Sequence, residues 1–241
     1  PQWSPDGKYL AAGGDDRLAI LYDTSTWQIA KVLQGHRGSV LSLEFSPDNK
    51  YLASGSGTDK VMMNNAPDEN VVKIWDVQKR GPLYSVNLHA QVESLQYTTD
   101  AKLWAAGIHA KKESATASIE LHNAATGTMV KTIPTDWVAV TAMIITPDER
   151  IIAAGLLNDD DLAPGSVHIW KLPTGEMEKS HPFGANAFSP DGRWMGRIDL
   201  EKSPHRVVVS YIANGQERQS FVTGNEQGIY FSPDGLSLIH I

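Results

Sequence analysis

The stretch Phe45-Ser46-Pro47-Asp48-Asn49-Lys50-Tyr51 decides the fold, because close copies of it recur along the chain. Each copy has an aromatic or apolar residue, then Ser or Thr, Pro, Asp and a turn residue, and one copy has lost its Pro. The Pro position of the successive copies falls at Pro5, Pro47, Thr99, Pro147, Pro190 and Pro233, so the copies are spaced 42 to 52 residues apart. A recurring period of this length predicts one supersecondary unit copied in series.

One repeat unit predicts four short antiparallel strands. Residues 39–45 alternate, which places Leu41, Leu43 and Phe45 on one face of a strand. The Pro-Asp turn then leads to a second strand of small residues, and two further strands follow at residues 71–76 and 82–88. Four strands in about 43 residues, repeated, are typical of the blades of a propeller. No segment shows a helical period.

The sequence therefore predicts an all-β protein, a β-propeller of four-stranded antiparallel blades with about five blades present. We interpret residues 1–235 as part of a larger, seven-bladed ring. The alternative is a five-bladed ring, in which the strand at residues 226–231 completes the blade begun by Gln2-Trp3. Residues 236–241 match a translated adapter sequence and are interpreted as a non-native tail, with a genuine second strand as the alternative.

Composition excludes several classes of function. The net charge of −7 argues against a general nucleic-acid binder, which needs basic surface to neutralise phosphates. The chain has no cysteine, so disulfides, thiol catalysis and thiolate metal sites are excluded. No apolar run approaches the roughly 20 residues of a membrane helix, so membrane insertion is not expected. These features leave the cellular compartment open.

Several motifs make the chain resemble the WD40 repeat family. Trp75-Asp76 is the dipeptide that names the family, Tyr22-Asp23 is a conservative variant, and Gly35-His36 precedes a first strand as in the family. The resemblance implies a structural network within a blade, formed by His, Ser, Asp and Trp. Its members here are Asp16, His36, Ser54 and Trp75, and in the second repeat an insertion leaves Asp68 or Glu69 to stand in for the Asp. The Ser-Pro-Asp-Gly turns are also similar to those of TolB-like propellers.

The resemblance implies a non-catalytic scaffold that binds a protein or peptide through one face of the propeller. Contact positions carried over from the family, with large or polar side chains of the adjoining loops, give a set of candidate partner-binding residues. These are Asp15, Arg37, Ser39, Leu41, Gln91, Glu93, His109, Trp137, Ala139, Thr141, Asn225 and Gln227. Of these, His109 is chosen because it falls near a hairpin tip, where functional residues concentrate.

The alternative function is a substrate-gating or sensor propeller within a larger enzyme or receptor, with additional domains on the same chain. No catalytic residue, cofactor or metal site is predicted for the propeller itself. Ser56 lies between two glycines, but Ser54 occupies the first glycine position of the nucleophile motif. The histidines show no ligand spacing of the His-x-x-x-His kind.

Overall fold

The computed structural model of the protein consists of β-strands, turns and loops. It describes residues 1–57, 70–79, 81–88, 90–110, 116–157, 165–199, 204–222, 229–232, 235 and 238–240. Within these ranges no segment is helical.

The strands form five four-stranded antiparallel sheets, which we call blades 1 to 5, and within each sheet the strands lie in chain order. Blade 1 comprises β1 (Gln2–Trp3), β2 (Tyr9–Gly13), β3 (Ala19–Asp23) and β4 (Gln28–Leu33). Blade 2 comprises β5 (Ser39–Phe45), β6 (Tyr51–Gly57), β7 (Val71–Asp76) and β8 (Pro82–Asn87). Blade 3 comprises β9 (Val92–Tyr97), β10 (Leu103–Ile108), β11 (Ser118–Asn123) and β12 (Met129–Pro134).

Blade 4 comprises β13 (Ala139–Ile145), β14 (Arg150–Leu156), β15 (Ser166–Lys171) and β16 (Met177–His181). Blade 5 comprises β17 (Ala187–Phe188), β18 (Trp194–Asp199), β19 (Arg206–Tyr211) and β20 (Glu217–Val222). A two-stranded sheet follows, in which β21 (Ile229–Phe231) pairs with β22 (Leu238–His240). The predicted all-β propeller of four-stranded blades, five in number, is confirmed. The seven-bladed ring and the boundary at residue 235 stay predictions.

The chain divides into two compact units, Pro1–Thr135 with blades 1 to 3 and Asp136–Ile241 with the remaining strands. In the first unit, one apolar cluster joins blades 1 and 2 through Leu21, Phe45 and Trp75. A second cluster joins blades 2 and 3 through Ile74 and Trp104. Blade 2 is therefore buried on both faces, which explains why its middle strands are almost wholly apolar or small.

The repeated phrase forms the turn between the first and second strands of each blade. In blade 2 the Ser46 hydroxyl donates to Asp48 Oδ1 at 2.7 Å and accepts from the backbone of Tyr51 at 2.9 Å. Asn49 then adopts a left-handed φ of 61°, which Asn and Gly tolerate best. The copy without Pro keeps the same device, since Thr98 donates to Asp100 at 2.7 Å. Side-chain hydrogen bonding, rather than Pro, is what the copies share.

In all five blades, the turn between the first and second strands also carries a basic residue two positions after its Asp. Its charged group pairs with the second carboxylate oxygen of that Asp, as for Lys50 and Asp48 at 3.0 Å. The same pairing occurs in the other described turns, between Asp6 and Lys8, Asp100 and Lys102, Asp148 and Arg150, and Asp191 and Arg193.

Strand β5 differs from its sequence-based prediction at one residue. The register of β5 against β6 shifts between Val40 and Ser42, which is a β-bulge at Leu41. Leu41 is 42% exposed, whereas Phe45 is 2% exposed. The prediction that Leu41 lies on the same face of the strand as Leu43 and Phe45 is therefore wrong, because the extra residue interrupts the strict alternation of side chains.

Neighbouring blades are also joined by polar contacts from their fourth strands. In the first unit, the Lys31 ammonium donates to the backbone carbonyl of Val77 in blade 2. The Tyr84 hydroxyl donates to the carbonyl of Ala124 in blade 3 at 2.6 Å. In the second unit, the Lys179 ammonium donates to the carbonyl of Ala213 in blade 5. We call these contacts outer latches, because each joins a fourth strand to the third-to-fourth-strand turn of the next blade.

Candidate functional site

The structure brings together the three blade 2 residues of the implied structural network. His36 Nε2 lies 2.6 Å from Ser54 Oγ, and the Trp75 indole N–H donates to the same oxygen at 2.7 Å. Ser54 is fully buried, and His36 and Trp75 are 6% and 1% exposed. The network ties the segment before β5 to β6 and β7, so its geometry is that of a support inside the blade.

The acidic members of the implied network are placed differently. Asp16 is exposed in the turn between β2 and β3, where its carboxylate accepts from the backbone N–H of Leu18 at 3.1 Å. This hydrogen bond supports a tight turn in which Arg17 has a φ of 67°. The two candidates in the second repeat, Asp68 and Glu69, lie outside the described residues.

Blade 4 forms a related network from different positions, and this corrects the prediction for Trp137. Trp137 is fully buried, and its indole N–H donates to Ser166 Oγ at 2.6 Å. Its ring packs on His168 at 4.6 Å and edge-on against Trp170 at 5.9 Å between ring centroids. The position of Ser54 is taken in this blade by Ala153. The Trp137 ring packs over Gly155, where an added Cβ would clash with it. Trp137 is therefore a core residue and not an exposed anchor.

Asp136, His168 and Ser166 lie in the order of a hydrolytic triad, but their environment is that of a structural network. His168 Nδ1 lies 3.7 Å from Asp136 Oδ1, and its Nε2 lies 3.4 Å from Ser166 Oγ. His168 is 5% exposed. Burial lowers the pKa of His168, and the charge of Asp136 opposes this only in part. Ser166 Oγ accepts the hydrogen bond of the Trp137 indole, so we assign Asp136, Ser166 and His168 a role in the stability of blade 4. Sequence reasoning missed it because these residues come from two separate segments.

In the first unit, several predicted partner-binding residues form one continuous surface. Gly57 ends β6 beside the bulge, and a Cβ there would lie 2.9 Å from Leu41 and 2.6 Å from Gln91. The side chains of Leu41 and Gln91 thus meet over Gly57, across blades 2 and 3. The backbone N–H of His109 donates to the carbonyl of Gln91 at 3.0 Å, and His109 Nδ1 lies 3.5 Å from Glu93 Oε1. We call Leu41, Gly57, Gln91, Glu93 and His109 the inner-end patch.

The remaining predicted partner-binding residues differ in how exposed they are. Arg37 and Asp15 are exposed in the first unit, and Ser39 is half-buried at the start of β5. In the second unit Thr141 is exposed, but Ala139 is only 1% exposed. Ala139 therefore offers no side-chain surface for a partner, which corrects that prediction. Asn225 and Gln227 lie outside the described residues.

Sites of other kinds are not evident in the described part of the chain. Its His, Asp and Glu residues form no group of three or more that would hold a metal ion, and it contains no helix able to cross a membrane. A shallow groove of about 400 Å³ runs beside blade 4. Charged side chains along it pair with each other, as Lys171 and Glu178 do at 3.3 Å. The inner-end patch is the better candidate for binding.

The four-stranded blades define the chain as a β-propeller protein. Comparison with known proteins finds a family model that matches part of the chain. The sequence model of the WD domain, G-beta repeat, matches residues 2–23 and 27–76, which hold the strands of blade 1 and the first three strands of blade 2. This part of the chain therefore carries the sequence pattern of WD40 repeats.

Relatives are found both for one repeat and for most of the chain. The general transcriptional corepressor of Saccharomyces cerevisiae and the human U5 small nuclear ribonucleoprotein 40 kDa protein are each 44% identical over 43 residues, or 18% of this chain. The WD repeat-containing protein slp1 of Schizosaccharomyces pombe is 24% identical over 80% of it. The matches span 6%, 12% and 46% of these relatives, respectively.

A solved structure shows the same fold. A chain of hydrazine synthase from Kuenenia stuttgartiensis superposes with a TM-score of 0.77 and 15% sequence identity. The match covers 98% of this chain and 71% of that chain. At this level of identity the likeness concerns the fold alone.

Proposed function

We propose that the protein is a non-catalytic scaffold that binds a protein or peptide partner through the inner-end patch. The observation that carries this proposal is the continuity of the patch across two blades. Leu41 contributes exposed apolar surface, and Gln91, Glu93 and His109 contribute hydrogen-bonding groups beside it. A short apolar contact bordered by polar groups is the usual anatomy of a protein interface.

The rigidity of the surrounding blades supports the proposal. The bulge that exposes Leu41 lies between two buried residues of β5, Val40 and Ser42. These residues hold the backbone in place, so the position of the Leu41 side chain is fixed before binding. The absence of a side chain on Gly57 lets Leu41 and Gln91 approach each other. A preformed surface loses little conformational entropy when it binds, which favours recognition of an extended peptide segment.

The predicted partner-binding residues outside the inner-end patch are proposed to contact the partner around it. Arg37 and Asp15 are exposed charges, which affect association rate more than affinity when they lie at the rim of an interface. Thr141, Asn225 and Gln227 are retained as proposed contacts on the basis of the family resemblance alone. The names of the relatives, a transcriptional corepressor and a ribonucleoprotein component, agree with a role in protein assemblies.

The proposal is tested by selecting peptides from a displayed library against the purified chain and measuring their affinity for variants. Leu41→Ala removes the apolar contact, and we expect binding to weaken about tenfold, as for a central interface residue. Glu93→Gln removes the charge of the patch while keeping its shape. Gly57→Ala places a methyl group between Leu41 and Gln91 and is expected to weaken the same peptides.

Leu83→Ala is the matched control, because Leu83 is 46% exposed on the fourth strand of blade 2 and Leu41 is 42% exposed. It should leave peptide affinity unchanged. If the selected peptides bind the Leu41, Glu93 and Gly57 variants as tightly as the unmodified protein, the inner-end patch is not the binding surface. A loss of binding in Leu83→Ala alone would assign the surface to the outer strands.

A further inference from the structure

The first strands of blades 1 to 3 carry three polar side chains that the proposed binding surface does not use. These are Gln2 on β1, Glu44 on β5 and Tyr97 on β9, all within the unit Pro1–Thr135. Gln2 Nε2 donates to Glu44 Oε2 at 2.9 Å, which joins blades 1 and 2. Strands β5 and β9 are joined in turn by the Ser42 hydroxyl, which donates to the carbonyl of Val92 at 3.0 Å.

Glu44 is a desolvated carboxyl group. It lies opposite Ala53 in the sheet, and Ala53 packs in the cluster between blades 2 and 3, so the Glu44 side chain lies on the same face. Part of its surface stays accessible, yet protein atoms crowd the carboxyl group, and this burial raises the pKa of Glu44 to about 8. Among the described residues no cation pairs with it.

Tyr97 supplies a second unsatisfied group on the facing strand. The residue is 5% exposed and belongs to the same cluster, and its hydroxyl has no hydrogen-bond partner among the described residues. Burial raises the pKa of Tyr97. Tyr97 and Glu44 both lie on the face between blades 2 and 3, on neighbouring first strands. A buried hydroxyl without a partner is rare in folded proteins and calls for a missing one.

The other titratable groups near Tyr97 have partners of their own or carry no positive charge. The Tyr84 hydroxyl donates to Ala124 and accepts from the Trp104 indole. Asp48 pairs with Lys50 and accepts from Ser46. Tyr51 contributes part of its ring to the same cluster. None of these groups supplies a positive charge to Glu44.

We propose that Gln2, Glu44 and Tyr97 form a binding site for a primary ammonium group. An ammonium group has three N–H donors and one positive charge. The three side chains offer a carboxylate oxygen, a phenol oxygen and an amide oxygen from three successive first strands. A desolvated carboxylate gains more from a cation than an exposed one, because water competes less with the ion pair.

The site distinguishes an ammonium group from a water molecule through the proton of Glu44. A water molecule satisfies the Tyr97 hydroxyl and leaves Glu44 protonated. An ammonium group favours the ionised carboxylate, so its binding releases a proton near neutral pH. Affinity for the ammonium group therefore rises as the pH rises from 6 to 8. This inference does not depend on the inner-end patch.

The experiment is isothermal titration calorimetry of the purified chain with n-butylammonium chloride at pH 6, 7 and 8. Two buffers of different ionisation enthalpy report the released proton. We expect saturable binding that tightens about tenfold or more between pH 6 and pH 8. Tetramethylammonium chloride carries the same charge without N–H donors and should not saturate the site.

Glu44→Gln keeps the size of the side chain and should abolish both the binding and its pH dependence. Tyr97→Phe keeps the ring and should weaken binding about tenfold, since it removes one acceptor. Glu93→Gln is the matched control, because Glu93 is an acidic residue of the inner-end patch and its loss should leave butylammonium binding unchanged. Circular dichroism spectra confirm that each variant is folded.

Two outcomes would overturn the proposal. One is the absence of saturable binding of butylammonium at any of the three pH values, which would leave Tyr97 and Glu44 to a bound water. The other is binding that survives Glu44→Gln unchanged, or that tetramethylammonium reproduces, since either result places the cation elsewhere on this acidic protein.

Discussion

Ser54 is the residue on which the blade 2 network depends, because its hydroxyl oxygen contacts two neighbours. It accepts from the Trp75 indole and lies within hydrogen-bond distance of His36. Ser54→Ala leaves the buried indole N–H without an acceptor, which costs about 1–3 kcal/mol. We therefore expect a matching fall in the free energy of unfolding, measured by urea denaturation.

Ser56 provides the matched control for this prediction. It is also fully buried in β6, but it donates to one acceptor, the carbonyl of Val71, at 3.2 Å. Ser56→Ala should therefore destabilise the protein less than Ser54→Ala. Equal losses for the two variants would contradict the assignment of a special role to Ser54.

Trp137 yields the second prediction at this scale. Its ring is fully buried against His168 and Trp170, so Trp137→Ala opens a cavity in blade 4. We expect a loss of about 3–5 kcal/mol in the free energy of unfolding, as for other large aromatic residues in cores. Thr141→Ala, an exposed change in the same blade, should cost little. A stable Trp137→Ala protein that had lost peptide binding would restore Trp137 as an interface anchor.

At the scale of elements, the outer latches explain how the fourth strand stays in place although it is the most exposed strand of a blade. Tyr84 occupies the position on β8 that Lys31 occupies on β4, since each pairs with the corresponding residue of its third strand. Both side chains reach a carbonyl of the next blade. The latch position thus accepts different residue types, provided that the side chain is long and carries a donor.

Tyr84→Phe tests the latch between blades 2 and 3. It removes the donor to Ala124 and the acceptor for the Trp104 indole but keeps the ring in the apolar cluster. We expect a cost of about 1–2 kcal/mol in unfolding free energy and faster hydrogen exchange of the β8 amides. Lys31→Met removes the donor of the latch between blades 1 and 2, and it should have a smaller effect because it leaves no indole N–H without an acceptor. Unchanged exchange in β8 would show that packing alone holds this strand.

At the scale of the whole molecule, Glu44 and the turn aspartates respond to pH in opposite directions. Backbone and side-chain hydrogen bonds lower the pKa of Asp100 from 3.8 to about 2, so its stabilising effect is present above pH 3.8 and is lost as the pH falls towards 2. Burial raises the pKa of Glu44 from 4.5 to about 8, so folding becomes less favourable as the pH rises from 4.5 to 8.

Glu44→Gln isolates the second of these effects. The variant cannot ionise at this position, so its thermal midpoint should fall less than that of the unmodified protein between pH 5 and pH 8. The neutral histidines His168 and His181, whose pKa values burial lowers, affect both proteins equally. Parallel melting curves across this pH range would show that Glu44 is well solvated. Glu93→Gln serves as the control and should follow the unmodified protein.

Much of the architecture followed from the sequence because its signals are local. The Ser46 and Asp48 side chains bond to backbone groups within five residues, so each copy of the phrase forms its turn without help from the rest of the chain. The third strand of blade 2, Val71–Asp76, has the bounds that the sequence predicts for it. Blade size and blade order then follow from the period of the repeat.

The sequence by itself determined the all-β blades, their strand order and the turns between them, since these depend on residues close together in the chain. Only the tertiary structure decided that Leu41 is exposed, that Trp137 is buried, and that Glu44 and Tyr97 lie on the same face between blades 2 and 3. These outcomes depend on contacts between separate strands and blades. A one-residue bulge is enough to move a side chain to the other face of a strand, and no local pattern records contacts between separate strands.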